Sequence, residues 1–489
     1  MDTLLSRRAA LKAVGLGTAA LAAGVGLDLG TGVAEAATAS DALRGALGST
    51  VLLPGDPGYD AERAGFNTLV QQRPKAIVLA ESARDVAAAV RVGAGLGWPI
   101  AVQATGHGIS VPADDALLIN MRRLAGVGID TGRRVARVDG GARWRDVIAA
   151  SAPAGLLPPA GTTSNVGATG YVTGGGVSII GRTYGYAADR VRGIDLVTVD
   201  GRQRRLSPTQ EPDLFWAVRG GMGNFGVVTS FEIDLLAAPT VYGGALTFPA
   251  AAAERVFAAY VGWTATVSDR TTSVAAFVRY PDIPTVPPEL RGTLALIIRV
   301  VHVGAPADAD AELAALRALG PVSDTVTAVP VARLDTIYGV PTAPVATISE
   351  SGLTRDLGDD GVATVLRAVG PAATLPPGFV EIRHLGGAFG RRPASPNAIG
   401  HRDARFLVFL SNPLAAPEQA GAVHQAQLAA LTGLGPVLTG GRIPTFLGPT
   451  DVTPQAVSVA YDQADWTRLR GLKSRYDPNN LFRINHNIR

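Results

Sequence analysis

Between Pro74 and Leu124 the apolar residues come in short blocks divided by polar or glycine-rich breaks. Ala76-Ile77-Val78-Leu79 predicts a short buried strand, and Ser82 caps a helical pattern that runs to Val92. Gly93, Gly95 and Gly97 interrupt that pattern before a second strand, Ile100 to Gln103. This is the order of a β-α-β unit. Leu117 to Asn120, Val135 to Val138, Asp195 to Val199 and Val227 to Ile233 predict further strands, and Arg143 to Ser151 a helix, so the chain from about 70 to 240 is expected to be α+β. From 241 to 445 the pattern predicts helices at Ala251 to Thr264 and Asp308 to Leu319. Strands are expected at Leu294 to Val303, Val380 to His384 and Arg405 to Leu410, in a sheet covered by helices on one side. Pro281 to Pro288 and Pro371 to Pro377 are expected at its rim. A last helix, Trp466 to Tyr476, precedes a compact irregular tail.

Composition narrows the classes. The 489 residues are 47% apolar and 17% charged, enough for two or three well-buried domains. Net charge is only +3 with no basic stripe, which argues against nucleic acid as a partner. Cysteine is absent, excluding thiolate chemistry and cysteine metal sites, and the six histidines (107, 302, 384, 401, 424 and 486) have no short ligand spacing, so no metal is expected. Walker, nucleophile-elbow and zincin spellings are missing.

Residues 1–36 have the form of an export leader: Ser6-Arg7-Arg8, an apolar run from Ala13 to Leu27, then Ala34-Glu35-Ala36 as a small-x-small cleavage pattern. The paired arginines resemble the twin-arginine class, whose pathway carries folded, cofactor-loaded proteins. A membrane anchor is the rival reading, weakened by four glycines in a run short for a bilayer span. The mature chain is thus expected outside the cytoplasm, with no stable membrane insertion.

Glycine, 59 residues, concentrates in particular loops. Thr105-Gly106-His107-Gly108 sets one histidine in a strand-ending turn, either an ordinary turn histidine or an imidazole presented on bare backbone to a flat ligand. Pro159 to Gly176, rich in glycine and hydroxyls and without charge, contains Gly161, Thr162, Val166, Gly167, Gly170, Tyr171, Gly174 and Gly175. Asp189 follows shortly after. Such a stretch is either a flexible surface loop or a cradle of N–H groups for a dinucleotide pyrophosphate. Gly221-Met222-Gly223-Asn224-Phe225-Gly226 has the dinucleotide-fold spelling but leads into a strand, not a helix, so a Rossmann fold is rejected.

Taken in order, Asp56-Pro57-Gly58-Tyr59, Arg73 to Val78, Gly106-His107-Gly108, Gly174-Gly175-Gly176, Gly223 to Gly226 and Tyr476 to Ile488 resemble the FAD-linked oxidases related to berberine bridge enzyme, within the vanillyl-alcohol-oxidase superfamily. The resemblance spans nearly the whole mature chain. It implies an α+β fold with a PCMH-type FAD-binding domain of two subdomains at 37–240. A substrate domain with an antiparallel sheet follows at 241–445, and 446–489 returns to complete the FAD domain. It also implies FAD held covalently through His107 alone, because the cysteine many members use falls on Thr163. Gly161, Thr162, Gly167, Gly170, Tyr171, Gly226, the backbone near Val228, Asn485 and Asn487 would line the FAD, and Val166 would help dioxygen reach it.

The implied activity is hydride transfer from an alcohol, sugar or secondary-metabolite substrate to the flavin and then to dioxygen. A dehydrogenase with another acceptor and a flavin-carrying protein without turnover are the alternatives. The resemblance implies that Tyr461 sits where bacterial relatives often carry a catalytic tyrosine, although their Tyr-x-Asn here reads Tyr461-Asp462-Gln463, and the alternative is an aromatic packed at the domain seam. As a base its phenol needs a neighbouring cation, for which Arg383 or His384 is expected, and His384 is a weaker candidate itself.

Overall fold

The computed structural model describes Ala39 and residues 41–489, so the leader reading lies outside the described residues, and Ala42–Arg489 form one compact unit. Four strands, β1 (Val51–Leu52), β2 (Ala76–Leu79), β3 (Ile100–Gln103) and β4 (Leu117–Asn120), pair in the order β1-β2-β4-β3. Both β2 and β3 run parallel to β4, which therefore lies between the two strands of the expected β-α-β unit. The crossover helix α1 (Ala83–Gly95) starts behind Ser82, whose hydroxyl accepts the Asp85 N–H. It outlasts the sequence expectation because Gly93 is a packing residue: a Cβ there would lie 3.0 Å from Leu117. Gly97, at φ 66°, turns the chain just beyond the helix.

A second, wholly antiparallel sheet follows: β5 (Val127–Asp130), β6 (Val135–Asp139), β7 (Val191–Val197), β8 (Gln203–Leu206) and β9 (Val227–Asp234), in the order β5-β6-β9-β7-β8. Between β6 and β7 lie α2 (Trp144–Ser151) and the short α3 (Ala168–Thr173).

The third sheet is antiparallel and larger. Its long strands β10 (Thr240–Pro249), β11 (Thr271–Arg279), β12 (Leu294–His302), β13 (Thr347–Thr354), β14 (Gly378–His384) and β15 (Phe406–Pro413) run in the order β10-β12-β11-β14-β15-β13. Four helices, α4 (Ala253–Thr264), α5 (Pro306–Arg317), α6 (Gly358–Val369) and α7 (Ala420–Gly433), pack Phe257, Leu313, Val365 and Leu431 on one face, against Phe277, Ile298 and Val408. The other face joins the core of the second sheet, where Val274 and Tyr338 share one cluster with Trp144 and Phe231. Strands β10, β11 and β13 and helices α6 and α7 escape the sequence pattern. In β11 seven consecutive residues are buried, so no alternation marks it, and β13 buries Glu350 and Ser351 among its apolar residues.

The last helix, α8 (Gln463–Tyr476), and the tail pack back on the first two sheets. Lys473, buried and paired with Asp477 at 2.6 Å, donates to the carbonyls of Asn224 and Phe482, and the Ile100 N–H donates to Leu481. Asn224 holds the end of the chain: its amide donates to the His486 carbonyl at 3.0 Å and its oxygen accepts the Ile488 N–H at 3.0 Å.

Candidate functional site

The turn after β3 is where the backbone is most constrained. Gly106 has φ 72°, and a Cβ there would fall 2.5 Å from Gly65 Cα, so conformation and close approach both demand glycine. Gly108 is in the ordinary φ range with open space at its side, so the flanking glycines are not equivalent. The His107 ring stacks on Phe66 with centroids 3.8 Å apart, 9° from parallel, and its Nδ1 lies 2.8 Å from Thr105 Oγ1. That same oxygen accepts the Gly167 N–H at 3.3 Å, tying the turn to the entry of α3. Burial, and then the charge of Arg143, hold the imidazole pKa down to about 4, so it is neutral near pH 7.

Around this turn lie polar atoms that the protein does not satisfy. His107 Nε2, Trp144 Nε1, Thr169 Oγ1, Tyr171 OH, Asn485 Oδ1 and Asn487 Oδ1 are all sealed from solvent without a hydrogen-bond partner. Each such atom costs about 1–3 kcal/mol when unmet, so six of them on elements that touch one another fit a polar ligand rather than a closed core. The elements do touch. The Trp144 and Tyr171 rings meet edge to face at 5.5 Å, and the Gly220 N–H bonds the Thr173 carbonyl at the end of α3. The Asn485 amide faces Gly223. The inventory of donors and acceptors, beside the open flank of Gly170, fits a flavin dinucleotide. Gly161 packs on the Tyr171 ring, where a Cβ would lie 3.2 Å from its hydroxyl, and Thr162 follows it in the same half-exposed loop. The Val166 carbonyl accepts the Trp144 N–H.

Other expected contacts take different roles. The N–H groups of Gly174 and Gly175 close the end of α3 on the carbonyls of Gly170 and Val172, and their Cα faces abut Thr445 and Ile399. They serve packing, with no N–H left for a phosphate. Asp189 is committed as well: its carboxylate pairs with Arg402 at 2.7 Å and accepts from Asn397 and the Tyr186 N–H. Gly226, at φ 148°, allows the chain to cross the Val197 carbonyl on entering β9, and Val228 pairs with Leu196 in that strand.

The sheet contributes the opposite wall. Alternation on β14 puts Glu381 and Arg383 on the face turned to the second sheet, in register with Ala276 and Val274 of β11. Arg383 donates from Nε to Oε2 of buried Glu381 at 2.8 Å, and its Nη2 lies 2.6 Å from the same oxygen in an ion pair, while Oε1 makes no hydrogen bond. The guanidinium also lies over the rings of Phe446 and Phe409, at 5.0 and 5.5 Å. Burial raises the pKa of the Tyr171 phenol, against the nearby charge of Arg383. Tyr338, pushed up to about 12 by burial, lies within the fields of Arg383, Glu381 and Arg299. Tyr171 from the glycine-rich segment thus lies within the electrostatic reach of Arg383 on the sheet.

Two expected catalytic residues lie elsewhere. His384 falls on the helix-covered face, stacked on Phe406, with Nε2 2.9 Å from Arg182 Nη1. Burial, with Arg182 and Arg405, drives its pKa down to about 2. Tyr461 is buried against Trp466 at 5.7 Å and donates to the Gly220 carbonyl at 3.0 Å. Burial alone raises its pKa, no cation acting on it, so the expected pairing with Arg383 or His384 is not made and the phenol has no means of serving as a base. Glu381, missed from the sequence, did leave a signal: one carboxylate in the apolar strand Phe379 to His384, two residues before an arginine. Trp144 and Thr169 left none. Among the described residues no group of three or more His, Asp and Glu side chains is placed to hold a metal, and no helix is long and apolar enough to cross a membrane.

Comparison with known proteins adds independent observations. Residues 74–207 match an FAD binding domain and residues 450–489 match the family described as berberine and berberine like. The chain is 30% identical over 455 residues to (R)-6-hydroxynicotine oxidase of Paenarthrobacter nicotinovorans, covering 90% of this chain and 96% of that one. A crystal structure of 6-hydroxy-D-nicotine oxidase from Arthrobacter nicotinovorans superposes with a TM-score of 0.76 at 25% identity, over 90% of this chain and 97% of that one. Glucooligosaccharide oxidase of Sarocladium strictum is 33% identical over 189 residues, 39% of this chain and 42% of that enzyme.

Proposed function

Since the chain belongs to the FAD-dependent oxidoreductases that pair this FAD-binding domain with a berberine-like C-terminal segment, we propose that it is an exported oxidase whose FAD is attached to His107. Bound there, FAD would supply a two-electron sink for oxidation of a substrate C–H bond, with dioxygen as the final acceptor and hydrogen peroxide as its product. His107 tethers it, Tyr171, Thr169 and Asn485 offer it hydrogen bonds, and Trp144 helps close the site to water. A covalent tether suits an enzyme released through the Arg7-Arg8 leader, where a lost cofactor is not replaced.

The observation that carries this reading is the convergence of unsatisfied polar atoms on the flavin side with a carboxylate on the sheet side. Glu381 Oε1 accepts the O–H or N–H proton of the substrate as hydride leaves the adjacent carbon. Arg383 fixes that carboxylate, and the rings of Phe409 and Phe446 hold the substrate's apolar part. The substrate is then a small molecule with an alcohol or secondary amine beside an apolar ring. The nicotine-oxidising relative favours the amine.

The test is an anaerobic panel of (R)- and (S)-6-hydroxynicotine, aromatic alcohols and cello-oligosaccharides against purified holoenzyme, read by bleaching of the flavin band. Rapid return of colour with peroxide on admitting air is the expected result. Bleaching without reoxidation in air marks a dehydrogenase, and a flavin that no reductant of the panel bleaches favours a carrier without turnover.

A further inference from the structure

Resting on the reading of the third sheet as the substrate wall, we infer that the substrate carries an anionic group of the carboxylate kind, and that Arg299 on β12 is the residue that receives it. The six long strands turn three charged side chains toward the second sheet: Arg299, Glu381 and Arg383. Arg299 pairs with Val274 and Val274 with Arg383, so the two arginines stand in one row of this face with a short apolar residue between them. On its other side Arg299 pairs with Ala245, which leaves a long side chain room.

The two guanidiniums differ in what they hold. Arg383 is buried and engaged by Glu381. Arg299 is half-buried and makes no hydrogen bond or ion pair among the described residues; its guanidinium lies 5.4 Å from the centre of the Tyr338 ring. Tyr338 is within the fields of Arg383, Glu381 and Arg299, and Tyr171 on the flavin side is within those of Arg383 and Tyr338. Arg299 is thereby linked through one aromatic ring to the proposed reaction site. Two guanidiniums facing one carboxylate leave a positive charge unmatched, and the guanidinium fork suits a carboxylate, which accepts two parallel N–H donors.

The positions also set a length. Arg299 and Glu381 stand two strands and two residues apart, about 12 Å between Cα atoms at ordinary sheet spacing. That span suits a ligand whose reacting alcohol or amine is separated from its anionic group by one aromatic ring. The reacting end then meets Glu381 while the charged end meets Arg299, and the pair fixes the direction in which the substrate enters.

Purified holoenzyme, native and with Arg299→Gln, Arg299→Met or Arg299→Lys, is to be titrated with 4-(hydroxymethyl)benzoate and with its neutral amide. Equilibrium dialysis gives the two dissociation constants, and anaerobic bleaching of the flavin band gives the reduction rate at saturation. The native protein is expected to prefer the carboxylate by about tenfold, the scale of one charge-assisted hydrogen bond. Arg299→Gln should abolish that preference with amide affinity and melting temperature unchanged, and Arg299→Lys should recover much of it. Where the carboxylate bleaches the flavin, the variant should lose affinity and keep the saturated rate. Failure of the native protein to bind the carboxylate, equal affinity for the two ligands, or equal loss of both in Arg299→Gln overturns the inference. Arg299→Met keeps an apolar stem over the Tyr338 ring and decides the matter should Arg299→Gln fail to fold. An Arg299-dependent preference without bleaching by any compound upholds the anion site and removes the oxidase reading. Bleaching by neutral compounds without that preference does the reverse.

Discussion

Arg383 holds a single oxygen of Glu381, Oε2, by a hydrogen bond from Nε and an ion-pair contact from Nη2, leaving Oε1 without a hydrogen bond and available to a substrate proton. Replacing Glu381 by Gln keeps the shape and removes the base. With whichever compound bleaches the native flavin, anaerobic stopped-flow should show reduction slowed by about 10²–10⁴-fold, the usual share of general base catalysis, with the flavin still attached. An unchanged rate would remove Glu381 from the mechanism.

Tyr461 is expected to matter for stability alone. Its hydroxyl makes one hydrogen bond, to Gly220, so Tyr461→Phe should cost about 1 kcal/mol in urea unfolding and leave the flavin reduction rate within about threefold of native. A hundredfold loss of rate would restore it as a catalytic residue.

Asn224 joins the tail to the second sheet through three buried hydrogen bonds, to the Gly221 and His486 carbonyls and from the Ile488 N–H. Asn224→Ala leaves those groups unmet, a loss of about 3 kcal/mol. Because Asn485 and Asn487 travel with the tail, proteolysis near the C-terminus and release of noncovalent FAD in a His107→Ala background should both quicken.

His384 makes the fold sensitive to acid. Its folded pKa of about 2 lies below its ordinary 6.5, so the unfolded chain binds the extra proton. The stabilisation is complete above about pH 6.5 and is lost as pH falls through the window between the two values. Replacing His384 by Asn should flatten the fall in unfolding free energy between pH 6 and 5, by up to about 1.4 kcal/mol per pH unit. Equal slopes in both proteins would show that other groups govern the acid limb.

Much of this was legible along the chain, for a local reason. Strands β2, β3 and β4 are short apolar blocks bounded by breakers, and their bounds in the structure are those of the pattern. The Gly106-His107 turn is legible because a positive φ in a tight turn is a demand that one residue type meets. The α+β class and the family resemblance followed from such windows taken in order. Other assignments depended on partners far away in sequence. Tyr461 gave up its candidacy to a carbonyl 241 residues distant, and Asp189 to an arginine 213 residues distant. The face on which β14 presents Glu381 rather than His384 was set by pairing with β11 and β15, strands that bury both faces and so carry little alternation to announce themselves. Backbone conformation is chosen mostly by neighbours in sequence. The company a side chain keeps is chosen by the packing of whole elements, and only the folded chain expresses that choice.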